Sequence, residues 1–550
     1  MTTVESNASK SGAPSVPGES PPVGKGAWLA LIAALLGWMF DGAEMGVFSL
    51  VGRGALKDLM KTIVDGQVVP APEGEIALWY GVIVAGFLVG AATGGVLFGW
   101  LGDRIGRVRA MTISVLCYAV FTSMGGFVQS PLQLGLMRFV AALGMGGEWS
   151  LGVALVMEAF PNRSRAFMAG LIGAAANVGY LLVAVVGLTL NNVIGQLEAL
   201  MIRLNVPEWL HANQENQGWR VMMILGIVPA ALTFFIRIFV PESHKWQEEQ
   251  AKGGTSNWAT IDLVGVLIGA MGPALMVYVY AFPATGWLEH TFALRLIVTV
   301  VGLVMAIMGY LYPVMRYIQR HNAISGSDSA TSTTIRRMLL AACLSGVALL
   351  GTWGSTQTAP TWVNQLTEKQ KKTMTVEQIK GSTILHAKEY TLIWLSIGAI
   401  IGTIGAAFMG DWLGRRVAYF SLCVLSLGSV ILLFHGNHSY GPFYLFCTFI
   451  GGVCTASFYG WLPLYLPELF ATRVRATGQG FGFNFGRILA AVGSLQLGNL
   501  VKFFADGVDL GPWHLAGGYP TACTILSLVY VVGMVIIWFA PETRGQPLPE

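Results

Sequence analysis

Gly102-Asp103-Arg104-Ile105-Gly106-Arg107 is answered 308 residues later by Gly410-Asp411-Trp412-Leu413-Gly414-Arg415. Each copy separates two long apolar segments. A second pair recurs at nearly the same offset: Glu158-Ala159-Phe160-Pro161-Asn162-Arg163-Ser164-Arg165-Ala166 and Glu468-Leu469-Phe470-Ala471-Thr472-Arg473-Val474-Arg475-Ala476. A loop pattern duplicated between apolar segments describes two related halves in a membrane. Such repeats place a binding site at their interface, near the bilayer midplane. That geometry is a carrier's.

Composition agrees. Of 550 residues, 54% are hydrophobic and only 11% charged. A soluble domain carries roughly twice that charge fraction. The 69 glycines suit helices packed closely in lipid. The net charge of +4 sits in loops and acts as an orientation signal, so no nucleic-acid partner is expected. The six cysteines fall in apolar segments without metal-ligand spacing. No phosphate loop, metal cluster or catalytic triad is present, so an enzyme or ATP-driven pump is not expected, and no cofactor beyond a coupling proton.

About 20 apolar residues span a bilayer as a helix. Fourteen segments qualify: 27–50, 76–100, 108–128, 131–160, 166–190 and 219–241; then 261–282 and 292–318; then 338–362, 389–410, 417–435, 441–467, 476–500 and 518–540. The repeats belong to the first and last six. The reading is therefore a disordered cytoplasmic tail over 1–26, a six-helix bundle over 27–241, two inserted transmembrane helices over 261–318, a second six-helix bundle over 338–540 and a tail over 541–550. The 191–218 loop is either a short surface helix or a solvated loop with buried anchors.

Arginines test the topology. With the N-terminus inside, the cytoplasmic loops hold Arg104, Arg107 and Arg109, Arg163 and Arg165, Arg336 and Arg337, Arg415 and Arg416, and Arg473 and Arg475. The short turns near 129, 283–291 and 436–440 hold no Lys or Arg. This is the positive-inside pattern, with both termini cytoplasmic. The exception is the outer loop 363–388, with Lys369, Lys371, Lys372, Lys380 and Lys388.

Gly99 through Arg107 resembles the loop 2–3 signature of the major facilitator superfamily, and its second copy strengthens the likeness. Arg138-Phe139 through Gly144-Met145-Gly146-Gly147-Glu148 is similar to the superfamily's fourth-helix pattern. Pro241-Glu242-Ser243 and Pro541-Glu542-Thr543 resemble sugar and organic-acid porters, and Pro467 through Gly478 the metabolite–proton symporter branch. Phe40-Asp41-Gly42-Ala43-Glu44 is similar to the paired-acid motif of aromatic-acid and sialic-acid proton symporters, with Glu44 where an aspartate is usual. The sialic-acid symporters also carry two extra central helices. The resemblance implies an all-α major facilitator fold of two pseudo-symmetric six-helix bundles plus that pair. It also implies a cytoplasmic gate of Asp103, Arg104, Arg107, Glu158, Arg163, Asp411, Arg415, Glu468 and Arg473.

An ionisable group in a span costs roughly 2.5–3.5 kcal/mol near the bilayer centre, so each needs a partner or a cavity. Asp41 lies about 21 Å into the first helix and Arg138 about 10 Å into the fourth from the opposite side. In a core about 30 Å thick these depths coincide, which predicts an Asp41–Arg138 pair. Glu44 lies one turn outward, and Glu148 is deeper. Asp41, Glu44, Arg138 and Glu148 are the expected proton-coupling groups. Arg487 is near the midplane with no acid of its own half at that depth, and its planar fork suits a carboxylate. Asn484 shares its face. Trp353, Gln357, Tyr459 and Trp461 are candidates to line the same cavity.

The expectation is a monomeric, multi-pass carrier of the inner or plasma membrane, moving a small organic anion with protons. Sialic acid or another carboxylate leads. A proton–sugar symporter, a metabolite or drug antiporter and a non-transporting sensor are the rival readings.

Overall fold

The computed structural model describes residues 24–64, 67–69, 71–211, 218–281, 292–325, 330–380, 382–510 and 513–549. Most of the 1–26 tail and the turn at 283–291 lie outside them. The first half comprises α1 (Lys25–Leu59), α2 (Glu73–Ile105), α3 (Arg107–Met124), α4 (Pro131–Ala159), α5 (Asn162–Arg203), and a sixth segment split into α6 (Trp219–Ile224) and α7 (Ala230–Phe239). A short α8 (His244–Ala251) leads to the inserted hairpin of α9 (Leu263–Ala281) and α10 (Phe292–Ser325). The second half comprises α11 (Ala330–Trp353), α12 (Ala359–Lys371), the short α13 (Val376–Lys380), α14 (Ala387–Leu413), α15 (Arg415–His435), α16 (Pro442–Thr455), α17 (Phe458–Tyr465), α18 (Arg475–Phe503), α19 (Tyr519–Ser527) and α20 (Val529–Ile536). Two antiparallel hairpins, β1 (Thr62–Val64) with β2 (Gln67–Val69) and β3 (Val508–Leu510) with β4 (Trp513–Leu515), follow α1 and α18 on one side of the bundle.

The fold is that of an all-α membrane protein, but length and apolarity alone count twelve spanning helices among the described residues, not fourteen. The two shortfalls have physical reasons. The 219–241 segment tightens to a 3₁₀ turn at Leu225–Ile227, and its continuous apolar helix, Trp219–Leu232, is too short to be counted. Helix α18 is long enough, at 29 residues, but carries Gln479, Asn484, Arg487 and Gln496. Its polarity is tolerable because most of it is buried between bundles. Two boundaries also move. Lys25 and Gly26 already belong to α1, and α5 runs unbroken to Arg203 through much of the expected loop.

The halves pack alike. Helix α2 lies on α4 as α14 lies on α16; α1 lies on α5 as α11 lies on α18. The bundles meet along two matching seams, α2 against α18 and α14 against α5. The α9–α10 hairpin packs on α2 and also touches α18 and α11, so it lies across the first seam. It is peripheral: only 28% of the most apolar window of α10 is buried against protein, against 83% for α4. Tyr310 anchors it, its hydroxyl 2.8 Å from Thr93 Oγ1 of α2.

Two glycine roles account for the repeated motif and the tight crossings. Gly106 and Gly414, the second glycines of the two copies, have φ of +111° and +89°, where a side chain is strained. At the α2–α4 crossing, a Cβ on Gly94 would collide with the Leu143 carbonyl, and one on Gly146 with the Ala91 carbonyl. Gly402 and Gly452 stand in the same relation at the α14–α16 crossing. Overpacking typically costs about 1–3 kcal/mol, and a backbone atom cannot rotate away. Gly94→Val is therefore expected to remove the monodisperse peak in size-exclusion chromatography of detergent extracts. Gly405→Ala, where no atom lies within 4 Å, leaves that peak unchanged.

Candidate functional site

The ionisable side chains of the spans converge at mid-height. Asp41, Glu44, Arg138, Glu148 and Arg487 are 5%, 7%, 3%, 0% and 8% exposed, so every one must be answered inside the protein. The pairing differs from the sequence expectation. Arg138 forms its ion pair with Glu44, not Asp41. Its guanidinium lies 4.5 Å from the ring centre of Phe48 and 4.8 Å from that of Phe87, and Thr122 Oγ1 donates to the same Glu44 oxygen at 3.3 Å. Glu44 is one turn from Asp41, a rise of about 4.5 Å, which counting inward from loop ends does not resolve.

Asp41 instead faces Glu148, with Arg487 of the other half within electrostatic reach. Asp41 Oδ1 and both Glu148 carboxylate oxygens have no hydrogen-bond donor among the described residues, and neither does Arg487 Nη1 have an acceptor. The Arg487 guanidinium lies 5.5 Å from the Phe483 ring centre, and Tyr459 and Tyr180 are its other polar neighbours. Asn484 is not available beside it. Its amide donates to the Gly146 carbonyl at 3.1 Å and the Gly480 carbonyl at 3.0 Å, tying α18 to α4. Trp461 is also corrected: it is fully buried against Tyr419 and Tyr465 in the second bundle.

Above this layer lies a cavity of about 580 Å³, between the outer part of α1 and the start of α14. Trp353 and Gln357 line it. Gln357 also borders a deeper void of about 20 Å³ with Tyr459 and Tyr180. The cavity wall holds Arg53, Arg138 and Lys388 and, among the described residues, no Asp or Glu. Arg53 and Lys388 escaped the sequence reading, although Lys388 belongs to the one loop that broke the positive-inside pattern.

On the opposite side the bundles are latched by the duplicated motif. Arg107 donates to Asp103 at 2.6 Å, to Glu158 at 3.3 Å and, across the seam, to the Thr472 carbonyl at 2.8 Å. Asp103 accepts from the Thr477 N–H at 2.9 Å, the Thr477 hydroxyl at 2.6 Å and the Ala476 N–H at 3.3 Å. A carboxylate of one half thus caps the first turn of α18 in the other, where the helix dipole favours negative charge. Arg475 completes the crossing, donating to Glu158 at 2.8 Å and to the Pro549 carbonyl of the C-terminal segment at 2.7 Å.

Among the described residues, no hydrogen bond of the second motif copy crosses the seam. Arg415 donates to Glu468 at 2.9 and 2.7 Å within its own half, while Asp411 is 54% exposed at the side chain and 3.6 Å from Arg415. Three expected gate residues lie elsewhere. Arg104 donates to Thr260 Oγ1 before the inserted hairpin, Arg163 is exposed, and Arg473 contacts His321 of α10. The arginine of this segment that bonds across the seam is Arg475, two residues on from Arg473.

The Pro-Glu-Ser and Pro-Glu-Thr segments explain the rest of the repeat. Glu242 accepts from the Arg107 N–H at 2.8 Å, capping α3; Glu542 accepts from the Arg415 and Arg416 N–H groups at 2.9 and 3.1 Å, capping α15. Ser243 bonds Glu158, and Thr543 donates to Glu468 at 2.6 Å. Burial raises the Glu542 pKa, but the backbone donors of Arg415, Arg416 and Arg544 outweigh it and hold the carboxyl below its ordinary value.

Known proteins carry this fold. Residues 29–261 match the family model described as sugar (and other) transporter. The chain is 24% identical over 527 residues to the cis,cis-muconate transport protein of Acinetobacter baylyi, covering 96% of this chain and 97% of that protein. It is 24% identical over 540 residues to the niacin transporter NiaP of the same organism, covering 96% and 97%. Among solved structures, the E. coli proton:xylose symporter XylE bound to 6-bromo-6-deoxy-D-glucose superposes with a TM-score of 0.60 at 15% identity, over 95% of this chain and 98% of that one. The chain thus resembles the transporters of the major facilitator superfamily and shares their fold, and it is a multi-pass membrane protein.

The latch geometry makes the two motif aspartates unequal. In a Ser150→Cys background, the cysteine lies in the buried α4–α18 contact beneath the latch. Asp103→Asn is expected to raise its alkylation rate by thiosulfonate reagents several-fold. Asp411→Asn is expected to change that rate by less than about two-fold, in line with the small worth of an exposed ion pair.

Proposed function

We propose that this transporter is a proton-coupled symporter of a small organic anion, working by alternating access between an outer cavity and a cytoplasmic latch. The carrying observation is the Asp41–Glu148 contact. Two carboxyl groups face each other in a dry layer, where two like charges cannot both persist. A shared proton is the donor this contact calls for. Arg487, on the other bundle, is then the group that reads the protonation state of the pair.

The cycle follows from charge balance. With the carboxyl pair protonated, Arg487 loses its counter-ion in Asp41 and offers its guanidinium to a substrate carboxylate. A proton and a monoanion together add no net charge to the layer, so the bundles can rock about the seams without stranding a charge in lipid. When the substrate leaves on the latch side, Arg487 draws Asp41 back to its ionised form and the proton departs. The positive-inside pattern supports a cytoplasmic position for the latch side. The muconate and niacin relatives support a small carboxylate as cargo, and sialic acid falls in the same chemical class. The cations of the cavity wall fit an anion better than a neutral sugar.

Purified protein in proteoliposomes tests this with labelled cis,cis-muconate, nicotinate, sialic acid and xylose, with and without an inward proton gradient. Accumulation of an acid, and not of xylose, driven by the gradient is the expected result. Asp41→Asn is expected to abolish accumulation while retaining counterflow exchange. Normal accumulation by that variant would move the proton to another group. Arg487→Ala is expected to weaken an acid substrate by about ten-fold or more, the worth of a hydrogen bond to a charged group. Its amide analogue should be little affected. Equal losses for both would make Arg487 structural.

A further inference from the structure

We infer that residues 543–549 form a strap that locks the latch: its Leu548-Pro549 end seats Arg475 for the bond across the seam, and the strap must leave that seat before the bundles part. The inference rests on the alternating-access part of the reading above and not on the identity of the cargo. The strap is an autoinhibitory contact that the chain supplies to itself.

The strap is pinned at two ends. Thr543 is buried and donates its hydroxyl to Glu468 at 2.6 Å. The Gln546 N–H closes a turn on the Thr543 carbonyl at 3.0 Å, with Gly545 at φ +74° in the third position, where such a turn calls for glycine. Arg544, Gly545, Gln546 and Pro547 are exposed, and Leu548 then returns to the interior at 4% exposure. It joins the apolar cluster that holds Phe160 of the first half and Phe470 of the second. Burial of its apolar surface makes it the second anchor.

Pro549 supplies the link to the seam. Arg475 is fully buried, and its guanidinium presents its N–H donors in a rigid plane. Nε donates to the Phe470 carbonyl at 3.2 Å, Nη2 to the Pro549 carbonyl at 2.7 Å and Nη1 to Glu158 of the other half at 2.8 Å. Two bonds within the second half therefore fix the plane in which the third crosses the seam. Without the Pro549 carbonyl, Nη2 is a buried donor that has lost its acceptor, and the fork is free to turn from Glu158. The repeat builds the other side alike. After Pro241-Glu242-Ser243 the chain also sends a buried side chain back to the latch: Trp246 of α8, whose Nε1 donates to the Asp103 carbonyl at 3.0 Å. The Leu548-Pro549 end carries no charged side chain, so its release strands no ion, unlike the parting of Arg107 from Asp103.

The test is thiosulfonate labelling of purified protein in detergent, read site by site by mass spectrometry, at Ser150→Cys beneath the latch and at Ser494→Cys in the cavity wall. Ending the chain after Gln546 is expected to speed labelling several-fold at Ser150→Cys and to slow it at Ser494→Cys, as the latch opens and the cavity closes. Leu548→Asp is expected to do the same, and Leu548→Met to leave both rates unchanged. In an Arg475→Gln background the truncation is expected to add nothing, because the strap acts through that arginine. Rates equal to those of the full-length chain, faster labelling at both cysteines, or a full added effect in Arg475→Gln would each overturn the strap. Asp103→Asn separates the two readings. If it shifts both rates and the truncation does not, alternating access stands and the strap falls. If it shifts neither rate, the alternating-access reading fails, and the strap with it.

Discussion

A charge carried into a bilayer must be answered by another group of the protein, and the layer at mid-height is organised by that constraint. Arg138 and Glu44 answer each other inside the first bundle and are wrapped by Phe48, Phe87 and Thr122. Arg487 has no acid of its own half at its level. Asp41 across the interface lies within electrostatic reach of it, and Glu148 lies within reach of Asp41 in turn. One layer thus contains a settled pair and an unsettled triad. The settled pair fixes α1 against α4. The unsettled triad brings a buried cation of the second bundle towards two buried carboxyl groups of the first.

The latch supplies the complementary asymmetry. Both motif copies are built alike inside their own halves: an arginine donating to the carbonyl of the motif's first glycine, a glutamate from the last segment capping the next helix, and a hydroxyl bonding the partner acid. Among the described residues, only the first copy bonds across, through Asp103 to α18 and Arg107 to Thr472. A latch made from one side can open without dismantling the other. The C-terminal segment joins it through the bond from Arg475 to Pro549, and Leu548 is buried beside it. The structure is closed at the latch and holds its cavity on the other side of the buried layer.

Much of this was legible because membrane physics is strict. Long apolar runs, paired arginine loops and a duplicated Gly-Asp motif admit few architectures. Charges within spans are costly enough that Asp41, Glu44, Arg138, Glu148 and Arg487 stood out individually. Their partners did not, because depth counted along a helix leaves azimuth and tilt undefined, and a single turn decided between Asp41 and Glu44. Gate residues were misassigned for the same reason: Arg473 and Arg475 are two residues apart and point to different neighbours. Polar side chains in α18 suggested a lining, whereas Asn484 serves the close contact of two backbones. Arg53 and Lys388 were hidden because lysines and arginines near span ends usually mark orientation rather than a site.

The central claim is that protonation of the Asp41–Glu148 pair frees Arg487 for the substrate's carboxylate. It is tested most directly by titrating purified protein in detergent with a transported acid, by calorimetry near neutral pH in two buffers of different ionisation enthalpy. The account predicts uptake of about one proton per bound anion, because substrate binding favours the protonated pair. That uptake is lost in Asp41→Asn. Binding with no proton exchange, or with proton release, would contradict it.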